Sequence, residues 1–97
     1  MRIFLEAKGF EVESYSTVQE ASIAIAGGLA DMIIMGLAFS DAEGEDFLTR
    51  TVESFDGPVI ILTSTADRAK IRRLISLGAK AVINKSSTWK NELNQYL

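Results

Sequence analysis

The side chains able to do chemistry fall into three groups. Asp41, Glu43, Glu45 and Asp46 crowd one polar stretch. Arg68, Lys70, Arg72, Arg73 and Lys80 lie within thirteen positions, and a single tryptophan, Trp89, follows them. Clustered acids can hold a hard cation, but these lack the calcium-loop spacing of alternating acids before a glycine. Carboxylates at a helix start need no ligand to explain them, because they complement the helix dipole. The cations could meet an acidic partner or decorate a solvated face. No aromatics are interleaved with them to stack on bases, and a net charge of −3 argues against phosphate-backbone binding. Trp89 either fills core or anchors a contact between two copies through its helix. Cysteine and histidine are both absent, which excludes disulfides, thiolate sites, serine–histidine triads and histidine bases.

One position is notable for what it lacks. Ala30-Asp31-Met32-Ile33-Ile34-Met35-Gly36-Leu37 is a short apolar run bounded by loop residues. It reads as a central strand buried on both faces. Ligands in open parallel sheets sit at the carboxyl ends of strands. Gly36 occupies that place and offers no side chain.

Met1 to Lys8 reads as the end of a longer helix stopped at Gly9. Phe10-Glu11-Val12-Glu13-Ser14-Tyr15 opens with the alternation of a strand wet on one face. Ser16 or Thr17 caps a helix carrying Val18, Ala21 and Ile25, and Thr17 with Glu20 fits a capping box. Gly27-Gly28 ends it. Phe47, Leu48, Val52 and Phe55 mark the next helix face, closed by Asp56-Gly57. Pro58 opens a second buried strand over Val59-Ile60-Ile61-Leu62-Thr63. Thr65 or Asp67 caps a helix with Ala69, Ile71, Leu74, Ile75 and Leu77, ended by Gly78. Ala81-Val82-Ile83 is a third buried run, finishing at Asn84-Lys85. Ser86, Ser87 or Thr88 caps a last helix with Trp89, Leu93 and Leu97. Strands alternating with helices predict one α/β domain over residues 1–97, with a parallel sheet of about four strands and helices on both faces. No apolar run approaches the roughly 18 residues that span a bilayer, and no signal-peptide layout is present, so a cytoplasmic protein is expected.

The order of these pieces resembles the receiver domain of two-component response regulators, a flavodoxin-like fold. Leu5-Glu6-Ala7-Lys8-Gly9-Phe10-Glu11-Val12 is similar to the family's first helix entering its second strand. Asp31 to Leu37 resembles the third strand, Pro58 to Thr63 the fourth, and Gly78 to Lys85 the fifth. The Lys85-Ser86-Ser87 ending is similar to receivers found in tandem ahead of diguanylate cyclase domains. The family moves a phosphoryl group from a histidine kinase to an aspartate at the end of the third strand. That aspartate and an acidic pair after the first strand hold magnesium. A threonine or serine and a lysine bind the phosphoryl oxygens, and an aromatic residue on the fifth strand reports the change.

Against that pattern, Gly36 stands at the phosphoacceptor position and Val82 at the aromatic switch. Ser40 replaces the usual loop proline, and the first strand with its acidic pair precedes Met1. Thr63 and Lys85 match the phosphate-binding positions. Lys85 either retains an anion beside Thr63 or is a lysine at a strand end that faces water or pairs with Asp41. The resemblance thus implies a degenerate receiver without magnesium or other cofactor, not an enzyme, that signals through protein contacts. The expected partners are a histidine kinase, an effector domain or a second copy, with neither nucleic acid nor membrane involved. The resemblance also assigns the partner-binding face to Arg68, Arg72, Arg73 and Trp89. Loss of the first strand predicts either direct pairing of 10–15 with 31–36 or a strand-completed dimer. Two alternatives stay open: an authentic phosphoryl-accepting receiver seen as a truncated or altered chain, and a small flavodoxin-like nucleotide- or flavin-binding protein.

Overall fold

The computed structural model describes residues 1–38, 43–64 and 67–97. In chain order it holds α1 (Arg2–Ala7), α2 (Val18–Ala26), β1 (Ile33–Met35), α3 (Gly44–Ser54), β2 (Val59–Thr63), α4 (Arg68–Ser76), β3 (Ala81–Asn84) and α5 (Trp89–Asn94). The strands pair in parallel in the order β1-β2-β3. Ile33 stands opposite Val59, and Ile60 opposite Ala81.

Three strands form where about four were expected. Phe10–Tyr15 is not a strand, and it does not pair with β1. Direct pairing would carry the exposed Glu11 and Glu13 toward the apolar layer that holds Met35, at the cost of burying two carboxylates. β1 is therefore the edge of the described sheet, not its centre, and only Met35 of its three residues is buried. The centre is β2, whose Val59, Ile60 and Ile61 are fully enclosed. Each such side chain contributes roughly 1.5–3 kcal/mol relative to an exposed one.

Alternation along the strands feeds two apolar layers. Met35, Val59 and Ile61 point to one face, where Val18 of α2, Phe47 and Leu48 of α3 and Leu74 of α4 cover them. Ile60, Ala81 and Ile83 point to the other, covered by Leu5 of α1 and Leu93 of α5. Helices thus cover both faces, as the alternating pattern predicts. The helix starts follow local chemistry. The Thr17 hydroxyl accepts from the Glu20 N–H at 3.2 Å and donates to the Glu20 carboxylate at 2.9 Å. Asp67 accepts from the Ala69 N–H at 2.9 Å, closing the start of α4. Thr65, the other candidate cap, lies outside the described residues. Thr88 is the N-cap of α5 without a side-chain cap bond, and its hydroxyl meets that of Ser86 at 3.0 Å.

Candidate functional site

The carboxyl ends of the three strands gather the sequence-selected positions. Gly36 follows β1, Thr63 ends β2, and Lys85 follows β3. The sheet register brings them into one row: Met35 faces Ile61, Thr63 faces Asn84, and the Lys85 N–H donates to the Thr63 carbonyl at 2.8 Å. Thr63 is half-buried and Lys85 exposed. Asp41, the proposed partner of Lys85, lies outside the described residues, as does Ser40.

Gly36 is not required by the backbone. Its φ is not positive, and among the described residues a Cβ built there meets only the Leu62 carbonyl oxygen, at an ordinary 3.8 Å. A side chain would fit. What is missing is chemical: Gly36 itself brings no carboxylate to the end of β1, in the row with Thr63 and Lys85.

The rim is held by a residue that sequence reasoning overlooked. Gly44 begins α3, and a Cβ there would lie 2.6 Å from both the Cα and the carbonyl oxygen of Leu37. The helix start presses directly on the backbone that follows Gly36. An Ala38–Glu43 bridge closes the same turn. A glycine at a helix start, among four acids, was the available signal. Thr51 was also overlooked. It lies 3% exposed on the inner face of α3, and among the described residues its hydroxyl has no hydrogen-bond partner.

Val82 is half-buried and packs on the layer beneath α2, α3 and α4. Arg68, Arg72 and Arg73 are exposed on α4. Arg73 is committed to Glu45 of α3 through a 2.5 Å ion pair. That hydrogen bond, together with the carboxylate charge, raises the guanidinium pKa above its ordinary value. The guanidinium thus keeps its charge at every pH below the arginine range. Trp89 sits in the opposite layer, with its ring edge-on to Phe4 at 5.5 Å and 71°. The arginines and Trp89 therefore flank β3, the last strand of the described sheet, from its two sides.

Residues 1–97 match the response regulator receiver domain family, and the chain belongs to it. A protein-glutamate methylesterase/protein-glutamine glutaminase 2 of Anaeromyxobacter dehalogenans is 31% identical over 87 residues. The match takes in 89% of this chain and 26% of that protein, so the chain spans about a quarter of its relative's length. The BeF3-activated N-terminal receiver domain of Klebsiella pneumoniae RstA superposes with a TM-score of 0.87 at 18% identity, over 97% of this chain and 80% of that one. The non-phosphorylated HemR receiver domain of Leptospira biflexa gives 0.81 at 28% identity, over 95% and 75%. The fold is thus the α/β, flavodoxin-like receiver fold, and the domain belongs to two-component signalling. Among the described residues no helix is long and apolar enough to cross a membrane.

Proposed function

We propose that this domain is a pseudo-receiver: a two-component module that works without accepting a phosphoryl group. One observation carries the reading. The end of β1, where this family places its acceptor, holds Gly36, and no backbone constraint demands glycine there. Phosphoryl transfer to a carboxylate needs an oxygen nucleophile and a cation to spread the developing charge. Gly36 supplies neither that nucleophile nor a magnesium ligand. Output then comes from binding, through a histidine kinase, an effector domain or a second copy. The exposed guanidinium groups of Arg68 and Arg72 on α4 suit an acidic protein surface. No catalytic turnover and no bound cofactor belong to this reading.

Thr63 and Lys85 support a second reading, in which the site still takes a phosphoryl group on another residue. The two are separated by incubating the chain with an acyl phosphate donor and magnesium, followed by intact-mass measurement. An unchanged mass supports the pseudo-receiver. A stable phosphoryl adduct overturns it.

A further inference from the structure

A groove of about 600 Å³ opens at the end of the sheet remote from Gly36, between the turn that enters β2 and the turn that enters β3. Pro58, Val59 and Ala79 line it with apolar surface. Ile75, in the last turn of α4, lies beside them 49% exposed, although Leu74 before it is fully buried. The two turns carry opposite charges. Asp56 stands on the first and Lys80 on the second, and both are exposed. Among the described residues neither has an ion-pair partner, and the two do not pair with each other.

Both turns are fixed. The Lys80 N–H donates to the Val59 carbonyl at 2.8 Å, which ties the second turn to the strand that the first one enters. A Cβ at Gly57 would lie 2.6 Å from the Asp31 carbonyl oxygen, so the first turn is pressed against the chain that enters β1. A Cβ at Gly78 would meet a Val52 methyl as closely. Charges presented on backbone held in this way need little ordering when they bind.

The pair of charges narrows the choice of occupant. A partner of one charge sign would satisfy one turn and repel the other. A surface with an acid and a base at the same separation satisfies both, and a second copy of the groove has that separation by necessity. A two-fold axis through the apolar strip sets Asp56 of each copy against Lys80 of the other, and it brings each exposed Ile75 onto apolar surface.

We propose that this groove is a two-fold interface between copies of this chain, closed by two reciprocal Asp56–Lys80 ion pairs around an apolar centre. The groove lies away from Gly36, so the pairing is independent of whether a phosphoryl group is accepted. The patch is small, so association is weak, with a dissociation constant of about 0.1–1 mM.

Sedimentation equilibrium of the intact chain at low salt, where exposed ion pairs are least screened, supplies the test. Between about 0.05 and 2 mM the mean mass should rise from one chain toward two. Asp56→Lys and Lys80→Asp each replace two attractive contacts by two repulsive ones, so each variant alone should stay monomeric while keeping its circular dichroism. An equimolar mixture of the two should dimerise again, because one groove is then wholly basic and the other wholly acidic. The double variant should dimerise as well, with the charges exchanged between the turns. The unaltered chain gives a readout that needs no variant: the Ile75 and Lys80 amide resonances should shift with concentration, and that of Gly36 should not. Four results overturn the proposal. They are a monomer at about 2 mM, a dimer that both single variants retain, a mixture that stays monomeric, and concentration-dependent shifts confined to other residues.

Discussion

Replacing Gly36 separates steric need from chemical lack. Among the described residues a Cβ at Gly36 makes one ordinary contact, 3.8 Å from the Leu62 carbonyl oxygen, and the backbone is outside the left-handed region. At a site this permissive, Gly36→Ala acts mainly on the unfolded chain, by reducing its conformational freedom. It should stabilise by about 0.4–1 kcal/mol. For a domain of this size that is an increase in Tm of about 2–8 °C. Gly36→Asp gains the same entropy but sets a poor strand former at the end of β1, so it should fall within about 1 kcal/mol of the starting protein. Thermal melts followed by circular dichroism measure both. The chemical half uses an acyl phosphate donor, magnesium and intact mass on the Gly36→Asp variant. A carboxylate at 36 restores the nucleophile alone, and a small hard dication needs more ligands than one acid provides. The variant should therefore remain unmodified. An alanine variant that melts below the parent refutes the steric argument, because glycine would then be serving the backbone. A phosphoryl adduct on Gly36→Asp refutes the account of what the site lacks.

Thr51→Val should raise stability by about 1 kcal/mol, because it replaces a buried hydroxyl without a partner by a methyl group; a lower urea midpoint would show that Thr51 is satisfied in solution. Leu48→Ala removes a side chain with no exposed surface from the layer under α2, α3 and α4 and should cost about 2–5 kcal/mol, read as a lower midpoint at unchanged m-value. Gly78 has φ of +117°, and a Cβ there would lie 2.6 Å from a Val52 methyl. Gly78→Ala should therefore cost at least about 1–2 kcal/mol, and a neutral effect would mean that the turn between α4 and β3 relaxes easily.

Local patterns made the five helices and the three strands legible. Phe47 and Leu48 face inward as their spacing requires, and Asp67 caps α4 as its position before a helical stretch suggests. The alternation in Phe10–Tyr15 misled because a period of two describes a face, not a partner. A strand exists only where another strand accepts its hydrogen bonds. Thr51 was hidden for a related reason. Its polar letter placed it outside the apolar stripe, and only the packing of α3 on the sheet buries it. The site was partly legible: Gly36, Thr63 and Lys85 could each be placed at a strand end by the βα alternation. Gly44 could not, because its role depends on how closely α3 approaches Leu37.

Composition by itself removed thiol and imidazole chemistry, since no folding can create a residue type the chain does not contain. It likewise determined that glycine, not a carboxylate, follows the Ile33–Met35 run. Tertiary structure decided the rest. Within the described sheet it made β2 the centre, and it drew Arg73 onto Glu45 and set Trp89 in the apolar layer opposite the one that α4 covers. Those outcomes depend on which distant segments meet, and pairing between remote segments is written in no local pattern of residues.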